Sequence, residues 1–239
     1  MDHFWHQIIE RQPAPPYLLI LVTAAIALFV VFERRLWRWA RNAITIAHEG
    51  GHALVAVLCG RRLQSIRLHA DTSGLTVSKG KPRGLGMILT LLVGYITPSL
   101  LGLAAAWSLE QHHIRAILWV ALALLVPLLF MIRNGYGLVA VLITGGAVFA
   151  VSWYTSAQVQ AAFAYAGVWF LLIGGVRPVF ELAGQRRRGK ARDSDVDQLA
   201  GLTHVAGGLW LFLYMLICVG ALVVGASLLD VVHGQLQLK

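Results

Sequence analysis

The chain has 239 residues, 58% of them hydrophobic and 13% charged, with a mean hydropathy of +0.69. A soluble domain of this length needs more charge to cover its surface, so the excess of apolar side chains must face lipid. The formal charge of +9 does not point to nucleic acid, because basic residues of membrane proteins gather in cytoplasmic loops and against anionic headgroups of the membrane lipid.

In chain order, the N-terminal stretch carries Asp2 and Glu10 and lacks the basic region of a signal peptide, so the first apolar run is expected to be retained. About 20 apolar helical residues cross a hydrocarbon core of about 30 Å. Seven stretches are read this way: 17–32, 42–60, 84–109, 114–132, 135–153, 161–178 and 202–230. The expected fold is an all-α integral membrane protein with six or seven transmembrane helices, one polytopic domain over residues 1–239. Residues 63–79 alternate around the turn Asp71-Thr72-Ser73-Gly74, which predicts a short surface β-hairpin after the second span. Pro98 and Pro127 fall inside predicted helices, and Pro98 frees the carbonyl of Gly94. The polar stretch 183–198 has a basic block suited to phospholipid headgroups. With seven spans, the loops after the second and sixth share one side with the N-terminus, and those two loops hold more than half of the 20 lysines and arginines. That side is predicted to be cytoplasmic. Cys59 and Cys218 stand far apart in apolar runs and read as packing residues.

The second span, 42–60, contains His48-Glu49-Gly50-Gly51-His52, an H-E-x-x-H sequence. On a helix, positions i and i+4 share a face, so both imidazoles can address one metal, while Glu49 is offset and suits a general base. Zinc is the expected ion: it lowers the pKa of bound water towards 7, and Glu49 takes the proton. Such a cluster inside an apolar span costs several kcal/mol, on the order of 3 for one central charge, unless it is paired or metal-bound. Two histidines and a water leave a tetrahedral site one protein ligand short. The acidic group Asp193, Asp195 and Asp197, in the segment 193–206, is the dense source of a third. Asp195 shares a helical stripe with Leu199, Leu202, Ala206 and Leu209, while Ser194 reads as an N-cap with Asp197 three residues on. Asp195 is therefore the preferred ligand. Asp197, in a stripe with Gly201, His204 and Gly208, is the alternative. Asn134 reads either as a donor to an oxyanion or as a turn residue. Gly94 reads as a place of close backbone approach, either a substrate-accommodating wall or part of a plain kink at Pro98. Arg177 and Glu181 are spaced for an ion pair. His3, His6, His69, His112, His113 and His233 carry no ligand spacing, and His204 reads as a hydrogen-bonding residue.

These residues resemble the site-2 protease family of intramembrane zinc metalloproteases, particularly a compact bacterial branch. The likeness is carried by His48 to Leu54, by Gly94-Tyr95 with Pro98, by Arg133-Asn134 with Gly137, and by Ser194-Asp195 with Leu199-Ala200 and Leu202-Thr203. It implies a Zn2+ cofactor, a transmembrane protein substrate cleaved within or near a bacterial cell membrane, a substrate-side place for Gly94 and Tyr95, and the aspartate after serine as ligand. The chain departs from the better-known members in one respect. Their third ligand stands in an Asp-Gly step, whereas Asp193, Asp195 and Asp197 are followed by Ser, Val and Gln. The competing readings are a zincin with Glu181 as third ligand, a membrane metal-binding protein or transporter, and an inactive relative that binds substrate helices. A transporter needs ionisable residues on several spans, and an inactive relative is expected to have lost Glu49.

Overall fold

A computed structural model describes residues 10–191 and 193–234, with backbone alone for 230–234. Asp2, His3 and His6 lie outside the described residues, and so does the side chain of His233.

Helix α1 (Tyr17–Phe32) is apolar throughout and starts after Pro16. It stops at Glu33, whose extended backbone cannot continue it and whose carboxylate caps the next helix by accepting from the Leu36 amide at 2.6 Å. Helix α2 (Arg34–Leu58) leaves at 101° to α1. Strands β1 (Arg62–Leu68) and β2 (Gly74–Lys79) form the antiparallel hairpin, with a bulge between Leu63 and Ser65. Four long helices follow: α3 (Leu85–Glu110), α4 (Ile114–Met131), α5 (Gly135–Tyr154) and α6 (Ala157–Arg187). A short helix α7 (Asp195–Thr203) ends at His204, whose left-handed backbone turns the chain into α8 (Gly207–Gly234).

The protein is thus an all-α membrane protein with a small hairpin. Among the described residues, five helices are long and apolar enough to cross a membrane, six where the bent pair α1–α2 is taken as one span. The seven predicted stretches differ from this in two ways. The basic segment 34–41, expected as a loop, is the first part of α2, because it contains no helix breaker and begins at a capped end. The predicted span 202–230 is broken at His204, so the acidic segment has its own helix. The polar stretch 183–198 is likewise shared between the end of α6, a connection and the start of α7.

The connections fall at two ends of the bundle. Gly86 at the start of α3 packs on Cys59, and the α4–α5 connection meets the hairpin, where the Arg133 amide donates to Ile66 at 3.0 Å. The 188–194 connection reaches the same end, since Asp193 and Ser194 line a cavity together with the turn Asp71–Gly74. Gln12 lies at the other end, where its amide donates to the His112 carbonyl at 2.9 Å. The segment that leads into α1 is therefore not at the hairpin end, which fits α1 and α2 taken together as one bent span. Apolar cores at the two levels, around Tyr165 and Leu172 and around Val179 and Leu199, bind α3, α6 and α8 together.

Candidate metal centre

α2 holds His48 and His52 one turn apart, and their Nε2 atoms stand 3.0 Å from each other. α7 brings Asp195 to them: Oδ2 lies 3.4 Å from His48 Nε2 and 3.3 Å from His52 Nε2. Three ligands about 2.0–2.2 Å from a tetrahedral zinc stand roughly 3.3–3.6 Å apart; the two histidine–aspartate separations fall in that range and the histidine pair is closer. His52 Nδ1 is 2.6 Å from the Thr90 carbonyl in α3. A carbonyl only accepts, so Nδ1 carries the proton and Nε2 presents its lone pair to the shared point. Among the described residues these three side chains form a group able to hold a metal ion.

Gly94 supplies the space. A Cβ at Gly94 would overlap the imidazoles of both His52 and His48. Within the chain, the close approach at Gly94 is made by the two histidines. Tyr95 stands edge-on to His48, with ring centroids 4.8 Å apart, and stacks on Tyr214, whose hydroxyl donates to the Leu91 carbonyl at 3.1 Å.

Asp197, the alternative ligand, is engaged elsewhere. It pairs with Arg186 of α6 and accepts from the Ser194 hydroxyl at 3.0 Å, while its own amide donates to that hydroxyl at 3.3 Å. Glu181 is likewise occupied: Arg41 lies at 3.1 Å, Arg177 Nε at 2.9 Å, and Trp37 Nε1 donates at 3.1 Å. His204 is not part of the cluster. Asn134, read from the sequence either as an oxyanion donor or as a turn residue, stands in the α4–α5 connection and binds the hairpin with its side-chain amide. Its Oδ1 accepts from the Leu68 amide at 3.2 Å, and its Nδ2 donates to the Leu68 carbonyl at 2.6 Å.

Glu49 is buried at 4% exposure and stands outside the triangle. Its Oε2 accepts from the Thr76 hydroxyl at 2.5 Å, and Gly74 lies directly against the carboxylate. Sequence reading missed Thr76, Gly74 and Thr90. The period of two along β2, which puts 74 and 76 on one face, was the available signal for the first two. A cavity of about 380 Å³ opens beside His48 and Asp195, walled by Tyr95, Pro98 and the turn Asp71–Gly74. That turn is docked on α2 by the Thr45 hydroxyl, which donates to the Thr72 carbonyl at 2.9 Å. Within it, the hydroxyl and amide of Ser73 donate to Asp71 and hold its carboxyl below the usual carboxylate range.

Residues 21–225 match the Peptidase M50B-like family. The chain belongs to that family. Comparison with curated proteins and with solved structures finds no match. Membership bears out the resemblance to site-2 proteases and makes the chain a relative of intramembrane metalloproteases, a family of peptidases that includes inactive members.

Proposed function

We propose that the protein is an active intramembrane zinc metalloprotease that hydrolyses a peptide bond of a membrane-embedded protein. The observation that carries this reading is the triangle of His48, His52 and Asp195, with the buried carboxylate of Glu49 on the adjacent helical position. The three side chains hold the metal, and zinc supplies Lewis-acid activation of water and of a peptide carbonyl. Glu49, offset from the ligands, takes the proton from the attacking water and returns it to the leaving amine. Thr90 fixes the tautomer of His52, and Tyr95 packs against His48 and fixes its ring. The cavity beside the triangle admits water and an extended segment of substrate to a site otherwise enclosed by apolar helices.

The test is a metal analysis and a cleavage assay on the purified protein and its variants. Glu49→Gln is expected to retain the metal and lose at least about 100-fold in turnover. His48→Ala and His52→Ala are expected to lose the metal itself. Near-normal cleavage by Glu49→Gln would remove the base from the reading. Absence of zinc from the active wild type would remove the cofactor.

A further inference from the structure

β2 touches Glu49 at two points. Thr76 Oγ1 lies 2.5 Å from Glu49 Oε2 and 3.2 Å from its main-chain oxygen, and a Cβ on Gly74 would overlap the carboxylate. On the far side of the hairpin, β1 sets Ile66 opposite Thr76 and Leu68 opposite Gly74. The same two β1 residues are gripped by the α4–α5 connection. Ile66 bridges to Ile132 and accepts from the Arg133 amide at 3.0 Å, while both peptide groups of Leu68 are taken by the side chain of Asn134. The connection therefore acts as a third layer, and the order runs from Asn134 through β1 and β2 to Glu49.

We infer that these layers form a brace for the general base, in which Thr76 positions the Glu49 carboxylate and Asn134 anchors the hairpin that carries Thr76. The inference rests on Glu49 being the base. A glutamate has three side-chain torsions, whereas proton abstraction needs its oxygen within hydrogen-bond reach of a single point. Burial alone does not select one rotamer. A hydroxyl on Oε2, with Gly74 against Oε1, does. Both positioning residues lie outside the metal triangle, so their loss acts on the base and leaves the ion in place.

Thr76→Val removes the hydroxyl and keeps the branched side chain. It is expected to lower kcat about 10- to 100-fold, the worth of one hydrogen bond to a charged group, with KM and metal content unchanged. Thr76→Ser is expected to restore most of the loss, and Asn134→Ala to lower kcat in the same way by a smaller factor. Hydrogen exchange on the purified full-length protein, with no substrate added, gives a readout independent of turnover. The β2 amides are expected to exchange faster in Thr76→Val and in Glu49→Ala, and no faster in the double variant than in either single one. A wild-type kcat in Thr76→Val, a loss that serine does not rescue, or additive exchange in the double variant would each overturn the brace. An active Glu49→Gln would instead overturn the assignment of the base, and the exchange coupling would still report whether Thr76 and Glu49 are joined.

Discussion

At the scale of single residues, the choice between two carboxylates a half-turn apart decides how the third ligand is supplied. Asp195 and Asp197 both open α7, where acidic side chains are favoured by the helix dipole. Only Asp195 faces α2. Asp197 is held by Arg186 and by Ser194, the cap of its own helix. Asp195→Asn removes the anionic ligand, so the metal is expected to be lost from the purified variant. Asp197→Asn weakens a partly exposed pair that contributes about 1 kcal/mol or less, so its zinc content is expected to stay near that of the wild type. Loss of metal in the Asp197 variant, with retention in the Asp195 variant, would reverse the assignment. The histidines and Glu49 were legible in the sequence because their relation is local, fixed by one helical turn. Asp195 became distinguishable only through its stripe and the family resemblance. Gly94 and Asn134 were noticed as unusual, but their neighbours in this chain were not legible. What lies against them depends on the crossing of α2 with α3 and on the docking of the hairpin, neither of which is written in any one segment.

At the scale of elements, the bent pair α1–α2 is the feature that hydropathy missed. Segment 34–41 looks like a basic loop, yet capping by Glu33 and the lack of a breaker let it continue as helix. The bend is fixed from α6. Arg177 donates to the Val31 carbonyl at the end of α1, lies 4.6 Å above the Trp37 ring, and bonds Glu181. Glu181 in turn holds Trp37 and Arg41 of α2, so the Arg177–Glu181 pair joins the two limbs of the bend to α6, Arg177 at α1 and Glu181 at α2. The spacing of Arg177 and Glu181 revealed their pair, but not its partners from α2. Glu181→Ala leaves two arginines without their shared anion in a half-buried place, and the expected cost is about 2 kcal/mol. Thermal unfolding in detergent checks it: the midpoint should fall clearly in Glu181→Ala, while metal content stays unchanged in the folded protein. An unaltered midpoint would show that the group is a solvated surface pair and that the bend is held by apolar packing.

At the scale of the whole molecule, the arrangement of crossings accounts for how two distant segments meet at one metal. Between the hairpin and the 188–194 connection the chain makes an even number of crossings, α3 to α6, and so returns to the same end of the bundle. The middle of α2 and the start of α7 then approach each other from that end. Seven-span counting preserves this relation but places the N-terminal segment at the hairpin end, because it takes α1 and α2 as two crossings. In the structure Gln12 sits beside His112 and bonds the Arg115 amide at 3.0 Å, at the opposite end. The hairpin end carries Arg61, Arg62, Arg67, Lys79, Lys81 and Arg83 together with Arg186, Arg187, Arg188 and Lys190. Basic residues in short loops are retained on the cytoplasmic side, so that end is expected to face the cytoplasm. Single cysteines placed at Lys79 and Lys190, in a chain lacking Cys59 and Cys218, should be labelled by an impermeant reagent only from the cytoplasmic side. A cysteine at Gln12 should be labelled only from the other. Labelling of Lys79 and Lys190 from opposite sides would be incompatible with Asp195 reaching His48 and His52. Labelling of Gln12 together with Lys79 would instead restore α1 and α2 as separate crossings and leave the metal centre untouched.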